Sequence, residues 1–104
     1  ADTIISGGTN IYPQEIDDVL LAHQSVAEVC CIGVPNEEWG EEVKAVINLE
    51  SGADEDAVRK ELVQLAEEKL SGFKKPKTYE FWTEELPRLP TGKIQRNLVK
   101  KRFW

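Results

Sequence analysis

The sequence predicts a single α+β domain: a small N-terminal β-hairpin, then a mainly antiparallel three-stranded sheet packed with helices. Three observations lead there. Apolar residues recur at helical spacing after Pro13 and again after Asp54. The stretches between and beyond them carry strand patterns bounded by glycine and proline. The 104 residues hold no repeat, linker or low-complexity tract, and they suffice for one modest core.

The elements follow in order. Residues 3–6 and 10–12 are short β-prone pieces around Gly7-Gly8, and glycine supplies the positive φ that a tight hairpin needs. Pro13 opens a helix at its first turn, where a missing N–H costs nothing. Ile16, Val19 and Leu20 carry that helix to about Ala22. Residues 26–34 are mostly apolar, and Val29-Cys30-Cys31-Ile32 reads as a strand buried on both faces. Residues 35–40 are a turn region. Val43, Ala45, Ile47 and Leu49 then alternate with Lys44 and Asn48 as a half-buried strand, and the short connection makes the two strands antiparallel neighbours. After a loop at residues 51–53, Asp54 is the N-cap of a helix whose apolar stripe is Val58, Leu62, Leu65, Ala66 and Leu70. Glu55 and Asp56 suit its positive end, and Gly72 stops it. Residues 73–77 form a basic loop broken by Pro76, and residues 78–82 a third strand. Residues 84–92, with Pro87 and Pro90, read as an extended loop, and residues 94–103 as a short basic helix.

Composition narrows the function classes. With 40% hydrophobic and 31% charged residues the chain falls among globular proteins, and no apolar run has the length of a membrane span. No secretory leader opens it, so a cytoplasmic protein is expected. It begins Ala1-Asp2 without a methionine, as a piece of a longer protein would. Cys30 and Cys31 are adjacent and point to opposite faces of a strand, so they read as two small buried side chains. His23 is the only histidine, nothing has metal-ligand spacing, and no metal is expected here. The net charge of −6 is uneven: residues 1–68 hold sixteen acidic and three basic side chains, residues 69–104 three acidic and ten basic. The basic end suits an anionic partner. Without a recognition motif or aromatic platform, nucleic acid is not expected. A phosphate-bearing small molecule fits better, and a merely solvated helical tail stays open.

Two motifs carry candidate chemistry. Leu89-Pro90-Thr91-Gly92-Lys93-Ile94 places a lysine just after a glycine, in an extended loop able to reach a neighbouring domain. An ammonium is a compact charge with three donors, suited to a carboxylate meeting a phosphate. This is not a nucleotide-binding P-loop, which requires Gly-Lys-Ser/Thr. Taken alone, Lys93 reads first as a structural or solvated loop lysine. Ile4-Ile5-Ser6-Gly7-Gly8-Thr9-Asn10-Ile11-Tyr12-Pro13 is, taken alone, a glycine hairpin.

Together, in this order, the two motifs resemble the C-terminal domain of adenylate-forming enzymes, the acyl-CoA synthetases in particular. The resemblance runs from Asp2 to around Leu98. It implies that residues 1–104 are the mobile C-terminal domain of an ATP-dependent acid–CoA ligase, whose N-terminal domain binds ATP and the acid and is absent from this chain. ATP and CoA would be substrates, with Mg2+ bound outside this domain. The partners implied are the enzyme's own N-terminal domain, CoA and the acyl-adenylate. Lys93 would be the catalytic lysine contacting the acyl carboxylate and α-phosphate. Gly7 and Gly8 would line the path of the pantetheine arm, and Trp39 would lie near the thiol substrate. Phe73, Lys74, Lys75 and Lys77 would meet the CoA nucleotide. The family's hinge residue would stand where this chain has Ala1, and Arg102-Phe103-Trp104 matches no family signal. A carrier-protein-loading adenylation domain and a non-catalytic binding module remain alternatives.

Overall fold

The computed structural model describes residues 2–104; the hinge position at Ala1 lies outside the described residues. Two adjacent glycines make the first turn. Strands β1 (Ile4–Ser6) and β2 (Thr9–Ile11) pair antiparallel, with Ser6 opposite Thr9. Gly7 (φ +56°) and Gly8 (φ +80°) fill the two-residue loop, as a turn with two positive φ values demands. Pro13 opens helix α1 (Pro13–Leu21). Strands β3 (Val26–Asn36) and β4 (Gly40–Leu49) form the long antiparallel pair. The Asp54 carboxylate caps helix α2 (Glu55–Lys69), accepting the N–H groups of Asp56 and Ala57. Strand β5 (Thr78–Trp82) and helix α3 (Arg96–Lys101) complete the order.

The sheet order is β2-β1-β4-β3, with β5 also paired to β4. β3, β4 and β5 are the three expected strands, and the hairpin joins their sheet where Ser6 meets Gly40. β5 runs parallel to β4, from Lys44 opposite Thr78 to Asn48 opposite Trp82, because α2 returns the chain in a crossover. Several element ends differ from the sequence reading, among them the hairpin strands by a residue and α3, which ends at Lys101. α2 stops at Lys69, and Gly72 (φ +55°) instead begins a 3-10 turn over Gly72–Lys74. The turn between β3 and β4 shrinks to residues 37–39, because pairing persists to Asn36 and resumes at Gly40. α3 starts late because Ile94 bridges Arg88 before the helix begins.

The long pair is buried on both faces. Val29, Cys31, Val43, Ala45 and Ile47 pack with Ile16 and Leu20 of α1 and Val58, Leu62 and Ala66 of α2. Cys30, Ile32, Val34 and Val46 pack with Leu86 and with Val99 of α3. The two cysteines therefore lie on opposite faces, both as free thiols. Burial pushes the Cys30 thiol up to about 12 and raises Cys31 as well, which makes both poor nucleophiles. β3 shifts register between Val26 and Glu28, so Val26 belongs to the helix-covered core while Glu28 serves the other side.

Candidate active site

Lys93 lies on a tight turn whose shape follows from its sequence. The Gly92 N–H donates to the Leu89 carbonyl at 2.8 Å, and the Leu89 N–H to the Lys93 carbonyl at 2.7 Å. Pro90 enters the turn with its preset φ, and Gly92 takes φ +93°, which a side-chain-bearing residue rarely adopts. Gly92 is thus required by the turn, and Lys93 follows it directly. Lys93 is exposed and, among the described residues, has no carboxylate within 4 Å. It lines a cleft of about 620 Å³ together with Asp2, Gln14, Asp17, Glu28, Arg88 and Arg96.

Two ion pairs, each anchored on a buried carboxylate, flank this turn. On one side Glu28, 8% exposed, accepts the Leu86 N–H (2.9 Å) and the Arg88 guanidinium (2.6 and 2.8 Å). On the other, Asp17 accepts the Cys31 N–H at 2.7 Å and pairs with Arg96 at 2.8 Å, while Arg96 donates to the Cys31 carbonyl. Burial raises the Asp17 carboxyl above its ordinary range against the pull of Arg96. Burial would also lower Arg96, but Asp17 more than offsets it and the guanidinium stays charged. The sequence reading missed all four residues. Their signal was present: acids among apolar strand and helix positions, which must find partners if buried.

The glycine hairpin is built from packing. The Gly7 N–H donates to the Trp39 carbonyl at 3.0 Å. A Cβ on Gly7 would come within 2.6 Å of the Phe73 ring, whereas one on Gly8 would meet nothing within 4 Å. The Trp39 and Phe73 rings meet edge-on, 5.1 Å between centroids. The Asn36 side chain fixes the turn by accepting the N–H groups of Glu38 and Trp39. Trp39 remains 40% exposed. The structure therefore brings Gly7, Gly8, Trp39 and Phe73 together. Lys74 pairs with Glu15 at 3.0 Å and Lys75 with Glu67, while Lys77 has no such partner among the described residues. None of these hairpin and basic-loop residues lines the Lys93 cleft. The expected site is thus two stations, not one pocket. The described residues include no grouping of His, Cys, Asp and Glu suited to a metal ion, and no helix long and apolar enough to cross a membrane.

A family model for the AMP-binding enzyme C-terminal domain matches residues 15–93. The chain belongs to this family. The matched segment of the AMP-binding enzyme C-terminal domain ends on Lys93 itself. Among curated relatives, the long-chain-fatty-acid–CoA ligase of Bacillus subtilis is 44% identical over 95 residues, covering 91% of this chain and 16% of that protein. A fatty acid–[acyl-carrier-protein] ligase of Streptomyces coeruleorubidus is 40% identical over 103 residues, covering 99% and 19%. Among solved structures, a fatty acyl CoA synthetase of Mycobacterium tuberculosis superposes with a TM-score of 0.85 at 39% identity, covering 98% of this chain and 20% of that one. The chain thus spans a fifth or less of the length of each of these relatives. The α+β architecture, a mainly antiparallel sheet with helices, is the one seen in that solved structure.

Proposed function

We propose that this domain is the C-terminal part of an ATP-dependent acid–CoA ligase, and that Lys93 is its adenylation lysine. In the first half-reaction a substrate carboxylate oxygen attacks the α-phosphorus of ATP, and pyrophosphate leaves. Two anions must approach, and the Lys93 ammonium offsets their repulsion at the forming anhydride. In the second, the CoA thiol attacks the acyl carbon and AMP leaves, with the thiol proton passing to solvent. Gly8 presents bare backbone to the pantetheine arm and Gly7, seated under the Phe73 ring, holds the turn beside it; Trp39 borders the thiol end, and Phe73, Lys74, Lys75 and Lys77 receive the CoA nucleotide. Mg2+, expected with the ATP, would be held outside these residues, as would the acid. Free buried cysteines and the need for ATP and CoA agree with a cytoplasmic setting.

The observation that carries this reading is the turn itself: a positive-φ glycine followed by an exposed lysine that has no ion-pair partner among the described residues. Lys93→Ala in the intact ligase is expected to slow adenylate formation by on the order of 10²-fold, the usual cost of losing a preorganised charge at a reacting centre. Thioester formation from supplied acyl-adenylate should stay near normal. Equal loss in both half-reactions would make Lys93 a general binding or stability residue. A carrier-protein-loading enzyme is the second reading, favoured by the similarity to an acyl-carrier-protein ligase. Saturable turnover with CoA as the only thiol decides between them.

A further inference from the structure

The lysine turn has a defined shape, but its own two hydrogen bonds do not set the direction in which it points. Besides the Gln95 N–H on the Pro87 carbonyl, a carboxylate elsewhere in the chain ties the turn to the sheet. Glu28 stands near the start of β3, buried, with both oxygens engaged: Oε1 accepts the Leu86 N–H at 2.9 Å, and Oε2 takes Nε and Nη2 of Arg88 at 2.8 and 2.6 Å. The remaining nitrogen of the same guanidinium, Nη1, donates to the carbonyl of Gly92, the residue immediately before Lys93. A buried carboxylate is costly unless paired. Here the partners in hand all belong to the segment that carries the lysine. Arg88 is a rigid planar fork with two prongs on the strand and one on the turn, an arrangement an ammonium cannot reproduce.

We propose that Glu28 and Arg88 are positioning residues for Lys93, holding the turn so that the ammonium is already aimed when the two anions meet. The proposal rests on the assignment of Lys93 above and adds a device that acts only through it. Asp17 and Arg96 do not share this role. They join α1, β3 and α3 and hold the fold rather than the turn.

The test is a mutant cycle in the intact ligase, reading adenylate formation, thioester formation from supplied adenylate, and melting temperature. Arg88→Ala is expected to lower kcat for adenylation by on the order of tenfold to a hundredfold, the cost of a misplacement of about 1 Å. KM for ATP and for the acid, and the thioester step, should hardly change. Glu28→Gln keeps an oxygen for the Leu86 N–H but loses the charge facing Arg88, so it should fall between wild type and Arg88→Ala. On a Lys93→Ala background, Arg88→Ala should cost nothing more, because its effect passes through the missing lysine. Wild-type adenylation in Arg88→Ala would overturn the proposal. So would an undiminished further loss on the Lys93→Ala background, or a parallel fall of both half-reactions with melting temperature. If Lys93→Ala is itself silent, the functional reading falls and the proposal with it. An active-site lysine with an inert Arg88 sinks the proposal alone.

Discussion

The lysine turn at residues 89–93 and the glycine hairpin at residues 6–9 are both closed by glycines at positive φ, yet they are fastened to the body by opposite means. The hairpin is pressed down by carbon: the Phe73 ring fills the space over Gly7, and Trp39 backs the ring. The lysine turn stands clear, with nothing within 4 Å of a Cβ on Gly92, and is tethered by a guanidinium on a buried carboxylate. Packing excludes side chains, and a tether carries one at arm's length. A station that must pass a thin substrate arm along bare backbone suits the first means. A station that must present a charge suits the second.

The sharpest contrast is between matched alanines. Gly7→Ala must adopt φ +56° and also push a Cβ into the Phe73 ring. Positive φ and overpacking together should cost about 3 kcal/mol. The isolated domain, expected to melt cooperatively without catalysing, should then lose on the order of 15 °C in Tm. Gly92→Ala must also hold a positive φ, +93°, but in open space, and should cost about 1 kcal/mol. Equal Tm losses would erase the distinction between the two turns.

Gly8→Leu addresses the hairpin's work rather than its fold. The side chain finds room in the domain, so stability should drop by about 1 kcal/mol from the positive φ alone. In the intact ligase, thioester formation should fall tenfold or more, about 1.4 kcal/mol in the transition state, while adenylation persists. A normal thioester rate in the folded variant would remove the backbone-channel assignment. The smallest expected effect lies in the basic loop. Lys74 and Lys75 already face carboxylates, whereas Lys77 does not. Lys77→Ala should raise KM for CoA by about threefold at low salt, more than either neighbour's replacement, and the difference should shrink as salt screens it. An unchanged KM would leave the loop as surface charge.

Much of this was legible in advance because it is local. Pro13 and the Asp54 side chain announce helix starts through contacts within a turn, and the alternation from Val43 to Leu49 names a strand without reference to its partners. The family was legible from two short motifs. What stayed hidden depends on distance. β5 shows its strand character in sequence, but its parallel direction follows from where α2 returns the chain. Phe73 looked free to meet a nucleotide until the fold laid one side of it on Gly7. Glu28 and Arg88 carry no mutual signal along the chain; only the packing of the loop against β3 makes them neighbours.

The register shift in β3 has a mechanical consequence. In an unbroken strand Val26 and Glu28 would share a face, and Val26 would lie with Cys30 and Ile32, away from α1 and α2. The extra residue, Ala27, works as a phase shifter: it returns Val26 to the helices while Glu28 keeps the face of Cys30 and Ile32, toward Arg88. A one-residue deletion there would alter no group placed at substrate. Its effect would be a change of parity upstream of Glu28, turning Val26 out of the helix-covered core while the paired strand beyond keeps Glu28 on Arg88.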